Sequence, residues 1–78
     1  MKDIHANKYR QIGLKIAYYR KLNSLTQEEL AETVGLSAAY IGHIEAPNIN
    51  KAVSLDTLFD IAIALNIPPH KLLIFEED

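Results

Sequence analysis

The side chains best suited to catalysis or metal binding are few and scattered. The three histidines, His5, His43 and His70, lack the short spacing at which a metal site usually draws its ligands. The chain has no cysteine, so it can form neither a disulfide nor a thiolate metal site. No nucleophile with a partner base, phosphate-binding loop or paired-carboxylate site is recognisable. We therefore expect no enzymatic activity, no cofactor, no metal and no small-molecule ligand.

A different kind of chemistry is indicated by the stretch TVGLSAAYIGHIE at residues 33–45. Gly35 is suited to end a helix, because glycine adopts a left-handed conformation without steric cost. Ser37 is suited to cap the next helix. Two short helices joined by a tight turn form the arrangement that inserts one helix into a DNA groove. The outward positions of that second helix are Ala38, Ala39, Tyr40 and His43.

The elements around this stretch are predicted to be helices of one small domain covering residues 1–78. The hydrophobic fraction of 49% favours a packed core. Apolar residues recur three and four positions apart, and no alternating strand pattern occurs. The spacing predicts an all-α fold, a compact bundle of five short helices. The first would cover about 8–22, the helix-turn-helix about 26–45, the fourth 55–66, and the fifth would begin at Pro68.

Helix boundaries and inner faces follow from local patterns. The sequence TQEE at 26–29 predicts a capping box between Thr26 and Glu29, and Ser54 is suited to cap the fourth helix. The inner stripe of that fourth helix is expected to contain Leu55, Leu58, Ile61, Ala62 and Leu65. Pro68 and Pro69 favour the start of a short fifth helix.

Charge is distributed unevenly along the chain, although the net charge is only −2. Residues 1–25 contain six basic residues and one acidic residue, a net charge of +5. Residues 26–78 contain two basic and nine acidic residues, a net charge of −7. An acidic protein can still present a basic face to a polyanion. With no signal peptide and no membrane-spanning segment recognisable, we expect a cytoplasmic protein.

The stretch LTQEELAETVGLSAAYIGHIE resembles the helix-turn-helix of the Cro/C1-type (XRE) family of bacterial and phage regulators. The later SLDTLFDIAIALNI resembles the fourth helix of that family, and the likeness extends from about Ile12 to Leu73. The resemblance implies a lambda-repressor-like DNA-binding domain. It also implies that the second helix lies across the DNA backbone and that the third enters the major groove.

The resemblance assigns roles to individual residues. Gln27 would lie near a phosphate, at a helix end whose amides favour anions. The DNA-reading surface would comprise Ser37, Ala38, Ala39, Tyr40 and His43. The following loop would contact phosphates through Asn48, Asn50 and Lys51. Family members pair an arginine late in the first helix with the glutamate that ends the third, here Arg20 and Glu45, as a structural ion pair.

The reading positions depart from the family pattern because they are small or aromatic. Ala38 and Ala39 are expected to pack against thymine methyl groups, and Gly42 fits a close approach of the helix to DNA. His43 is expected to be the main polar reader, donating to guanine N7 or O6. The loop EAPNINKAVSL is about two residues longer than is usual in the family and lacks its glycine.

Surplus apolar residues in the fourth helix and the tail favour a homodimer. The predicted dimer interface contains Phe59, Ile63, Ile74 and Phe75, although apolar residues at helical spacing also suit a core. The acidic tail, Glu76, Glu77 and Asp78, would lie away from DNA. The predicted function is a repressor-type, sequence-specific DNA-binding regulator on a two-fold symmetric operator. The alternative is a protein-interaction module, or an antitoxin-like partner, with weak or no DNA binding.

Overall fold

Helices account for all the regular structure in the part of the chain that the computed structural model describes, residues 3–49 and 51–75. The four α-helices are α1 (Ala6–Leu22), α2 (Gln27–Val34), α3 (Ala38–Glu45) and α4 (Leu55–Ala64). Short 3₁₀ helices lie at Asp3–His5, directly before α1, and at Pro69–Leu72, after α4. The predicted all-α class is therefore confirmed, with four α-helices in place of five.

The expected fifth helix is only a 3₁₀ turn. Its hydrogen bonds run over three residues, from the Lys71 amide to the Pro68 carbonyl and from the Leu73 amide to the His70 carbonyl. Pro68 and Pro69 have no amide hydrogen to contribute, and four residues are too few to build an α-helical ladder. The fourth helix is also shorter than predicted, because Asn66 adopts a left-handed conformation (φ 59°) just after it.

The boundaries of α2 and α3 are set by the predicted caps. The Glu29 amide donates to Thr26 Oγ1 at 3.0 Å, and the Thr26 amide donates to Glu29 Oε1 at 2.8 Å. Gly35 follows α2 with φ 72°, the left-handed conformation that glycine adopts without strain. The Tyr40 amide then donates to Ser37 Oγ at 3.0 Å and opens α3. The turn between the two helices thus has the geometry that the sequence indicates.

A single apolar cluster is shared by all four helices, the loop before α4 and the C-terminal 3₁₀ turn. It consists of Ile12, Ile16, Leu30, Ala31, Ile41, Ile44, Val53, Leu58, Ile61, Ala62, Leu65 and Leu72. One expectation was wrong: Leu55, predicted to face inward, is 61% exposed. The buried stripe of α4 therefore begins at Leu58, which is 2% exposed. None of the helices described has both the length and the apolar character needed to cross a bilayer.

The backbones of α1 and α3 approach each other closely where the two helices cross. A methyl group added to Gly13 would overlap the carbonyl oxygen of Ile44. Only a residue without a Cβ lets the two backbones meet at this distance. Gly13 therefore determines how closely α3 packs against α1, a role that the sequence pattern alone did not indicate.

Candidate nucleic-acid interface

The outward face of α3 is formed by the residues that the resemblance assigns to base reading. Ala39 and His43 are exposed, whereas Ala38 and Tyr40 are half-buried and also contact the core. Ile41 and Ile44 are buried on the opposite face. The Ser37 side chain is exposed, and its oxygen is the N-cap acceptor of α3. The helix thus presents small and aromatic side chains outward.

The Arg20 and Glu45 side chains form a buried ion pair between α1 and α3. Arg20 Nε donates to Glu45 Oε2 at 2.7 Å, and Arg20 Nη2 donates to Glu45 Oε1 at 2.9 Å. Arg20 Nη1 donates to the Leu25 carbonyl at 2.7 Å, which ties the pair to the segment before α2. The hydrogen bonds to Glu45 raise the pKa of Arg20 above its already high value, so the guanidinium remains charged.

Gln27 lies against the C-terminal half of α3. Its Nε2 donates to Glu45 Oε1 at 3.0 Å, and its side chain is half-buried. The Gln27 amide oxygen is 3.5 Å from the point that a methyl group on Gly42 would occupy. Gln27 therefore completes a chain of hydrogen bonds that begins at Arg20. The sequence placed Gln27 at the start of α2 but gave no sign of this link to Glu45.

The other side of α3 is contacted by the loop between α3 and α4. Lys51 Nζ lies 5.3 Å from the centre of the Tyr40 ring, within the range of a cation–π interaction. Asn48 is exposed in the same loop, and Asn50 lies outside the described residues. Tyr40, predicted to read bases, and Lys51, predicted to contact a phosphate, are thus in contact with each other.

The four residues predicted to form a dimer interface do not share one environment. Phe59 and Ile63 are exposed one turn apart on α4, and Ile74 is exposed in the tail. Phe75 is half-buried and lines a groove beside Tyr9 of α1. Leu55 precedes Phe59 by one turn, so α4 exposes an apolar stripe of Leu55, Phe59 and Ile63. The residues Glu76, Glu77 and Asp78 lie outside the described part of the chain.

Two short helices, a tight glycine turn and an outward-facing second helix define a helix-turn-helix protein. The sequence model of the helix-turn-helix family matches residues 16–72. The chain therefore belongs to the Cro/C1-type (XRE) helix-turn-helix family of DNA-binding transcriptional regulators, which is not a family of enzymes. Among the described residues, no group of three or more histidine, aspartate or glutamate side chains is arranged to hold a metal ion.

Two relatives resemble the chain in sequence. Control protein C.SmaI of Serratia marcescens is 49% identical over 55 residues, which cover 70% of this chain and 63% of that protein. The match thus spans less than two thirds of C.SmaI. The uncharacterized HTH-type transcriptional regulator MJ0272 of Methanocaldococcus jannaschii is 36% identical over 64 residues, which cover 82% of this chain and 94% of the relative.

Solved structures show the same arrangement of helices. The restriction-modification controller protein C.AhdI from Aeromonas hydrophila superposes with a TM-score of 0.80 and 32% identity, over 91% of this chain and 99% of that one. The master regulator for biofilm formation SinR, in complex with DNA, superposes with a TM-score of 0.74 and 33% identity. That match covers 81% of this chain and 98% of SinR.

Proposed function

We propose that this protein is a repressor-type, sequence-specific regulator of transcription whose α3 enters the major groove of DNA. One observation carries the proposal: two of the four side chains assigned to phosphate contact pack against α3. Gln27 lies beside Gly42, and Lys51 lies over Tyr40. The outward face of α3 is therefore flanked on two sides by groups that suit a phosphate backbone. This is the arrangement that a helix needs when it is held in a groove between two strands.

Base reading is assigned to the outward face of α3. Ala38 and Ala39 offer methyl groups to thymine, and their small size lets the helix approach the bases closely. His43 is exposed and offers a ring nitrogen to guanine N7 or O6. Tyr40 has Lys51 over one face of its ring, so its hydroxyl and ring edge remain for contact with DNA. Specificity is expected to concentrate at the base pair that faces His43.

Affinity is assigned mainly to phosphate contacts. Lys51 neutralises a phosphate, while Gln27, Asn48 and Asn50 donate hydrogen bonds to the backbone. Neutralising phosphates releases counterions and makes binding salt-dependent. These contacts add affinity for all sequences alike and orient α3 for base reading.

Binding as a homodimer to a two-fold symmetric operator is the second part of the proposal. The exposed stripe Leu55, Phe59 and Ile63 supports it, because contiguous apolar surface on a small domain favours association. Ile74 and the outer edge of Phe75 extend the predicted interface. A two-fold dimer would contact half-sites about one helical turn, roughly 34 Å, apart. Sedimentation should detect a dimer at micromolar concentration, and Ile63→Lys should shift it toward monomer; a strict monomer, free and on DNA, argues against this part.

The class of regulator to which this protein belongs is proposed from its relatives. C.SmaI is a control protein and C.AhdI is a restriction-modification controller, so a restriction-modification controller is favoured over a phage regulator or an antitoxin. Regulation would then depend on protein concentration and operator occupancy. A reporter gene behind the selected operator should change its expression with the dose of this protein.

The decisive experiment is selection of bound duplexes from a random DNA library. We expect enrichment of one half-site repeated with two-fold symmetry. His43→Ala should weaken binding to the selected operator by about 1–3 kcal/mol and leave random DNA almost unchanged. If both affinities fall together, or neither changes, His43 is not the reader. Absence of both enrichment and salt-dependent binding would instead support the alternative, a protein-interaction module with a helix-turn-helix fold.

A further inference from the structure

We propose that Glu45 is a positioning residue for DNA binding, because its carboxylate orients the Gln27 amide so that one N–H remains to meet a phosphate. The inference rests on the proposed function and assigns to Glu45 a role beyond pairing with Arg20. Glu45 itself does not touch DNA in this proposal. It acts through Gln27, which lies between the buried ion pair and the protein surface.

Three hydrogen bonds converge on the Glu45 carboxylate. Oε2 accepts from Arg20 Nε, whereas Oε1 accepts from both Arg20 Nη2 and Gln27 Nε2. The carboxylate is almost fully buried, so water competes little for these positions. The charge of Arg20 offsets that of Glu45, which removes much of the repulsion that a carboxylate would otherwise exert on a nearby phosphate.

The chemistry of the carboxylate determines which way the Gln27 amide turns. An ionised carboxylate only accepts hydrogen bonds, whereas a glutamine amide has both a donor and an acceptor end. The NH₂ group of Gln27 must therefore face Glu45, and its oxygen lies over Gly42. One of the two N–H bonds is used by Glu45, and the other remains available to an anion.

The reverse orientation of the amide would present a different surface to DNA. A carbonyl oxygen facing a phosphate repels it, because both groups are hydrogen-bond acceptors. A glutamine free in solvent samples both orientations and must also lose rotamer freedom on binding. Glu45 removes both penalties before DNA arrives, which is the advantage of a preorganised contact.

The test compares DNA affinity among matched variants on one fixed duplex of arbitrary sequence at low salt. Gln27→Met removes the donor, and Glu45→Gln is an isosteric change that removes the carboxylate. Each single variant should weaken binding roughly tenfold, the scale of a hydrogen bond to a charged group. Glu45→Gln should cause no further loss when Gln27 is already methionine. The proposal would be overturned if Glu45→Gln lowered DNA affinity equally in the wild-type protein and in Gln27→Met, or lowered it in neither.

Two control variants distinguish the positioning role of Glu45 from the effect on DNA affinity of removing a negative charge or of weakening the fold. Glu32→Gln removes one exposed negative charge from α2 and should leave affinity unchanged or slightly higher. Gln27→Asn keeps the amide but is too short to reach Glu45, so it should lose as much affinity as Gln27→Met while Glu45 and its fold are untouched. Full affinity in Gln27→Asn would show that the amide needs no support from Glu45.

A measurement without DNA distinguishes this inference from the proposed function. The side-chain amide protons of Gln27 should have dispersed, slowly exchanging NMR signals in the free protein, and Glu45→Gln should move them toward solvent-exposed values. Signals already typical of free glutamine would overturn the positioning role even if DNA binding were intact. A wild-type protein with these signals but no DNA affinity would overturn the proposed function and, with it, the phosphate contact.

Discussion

The two sides of α3 are supported in different ways. On one side, Gln27, Glu45 and Arg20 form a chain of charge-assisted hydrogen bonds that joins α2, α3 and α1 and is largely buried. On the other side, Lys51, an exposed residue of the loop, contacts the ring of the half-buried Tyr40. A buried, multiply bonded cluster holds one geometry, whereas a single exposed contact is weak and adjustable. The side of α3 that faces Gln27 is therefore rigid, and the side that faces Lys51 is adaptable.

Removing the ion pair should have the largest effect, because it abolishes the rigid side. Arg20→Ala leaves the Glu45 charge buried without its partner, and we expect a loss of about 3–5 kcal/mol in the free energy of unfolding. Denaturant unfolding of Arg20→Ala, Glu45→Ala and the double variant measures the coupling. Strictly additive losses would show that the two side chains do not stabilise each other.

Gly13→Ala should have the next largest effect, since it forces α1 away from α3. The added methyl group overlaps the Ile44 carbonyl, and overpacking of this kind costs about 1–3 kcal/mol. Thermal unfolding measures the loss. Gly42→Ala is the matched control, because the same methyl group there meets only the Gln27 side chain at an ordinary distance. It should be neutral or stabilise the helix by up to about 1 kcal/mol, and similar losses at both glycines would contradict the close crossing at Gly13.

Lys51→Ala tests the adaptable side. It should weaken binding to all DNA sequences about equally and lower the slope of log affinity against log salt by about one. Titrations at several salt concentrations measure that slope. Lys71→Ala removes another exposed lysine, in the C-terminal 3₁₀ turn, and should leave the slope unchanged. A loss confined to one operator position would make Lys51 a base reader instead.

The smallest effect is expected at the Tyr40 ring. Tyr40→Phe keeps the aromatic face for Lys51, whereas Tyr40→Leu removes it. An exposed cation–π contact contributes about 0.5–1 kcal/mol, so Leu should weaken DNA binding slightly more than Phe. Repeating both variants with Lys51→Ala should abolish the difference between them. A difference that persists there would come from packing or base contact and not from the lysine.

The rigid side of α3 shows what the sequence could and could not predict. Thr26, Gly35 and Ser37 act through neighbouring backbone atoms, so their positions in the sequence were enough to predict the turn. The link between Gln27 and Glu45 joins residues 18 positions apart, and it exists only because α2 and α3 cross. No local pattern encodes that distance. The pairing of Arg20 with Glu45 was expected from the family resemblance and not from spacing.

The apolar faces show a second limit of sequence reasoning. Helical periodicity was enough to predict the all-α class, because that prediction needs only the spacing of apolar residues and not the face that packs inward. The fourth helix has apolar residues on two faces, and periodicity cannot decide which face packs inward; Leu55 was assigned to the wrong one. The same ambiguity affects the tail, where Ile74 is exposed and Phe75 half-buried although both were predicted to lie at one interface.

The backbone contact at Gly13 has a consequence for engineering new binding specificities. The contact between α1 and α3 is made by Gly13 and the Ile44 carbonyl oxygen. The position of α3 therefore depends little on the side chains of Ala39 and His43, which are exposed. Those two positions can therefore be randomised in a library without rebuilding the scaffold beneath them. Substitutions at these two exposed positions should not disturb the packing of α3, and variants selected for new DNA targets should retain the melting temperature of the parent.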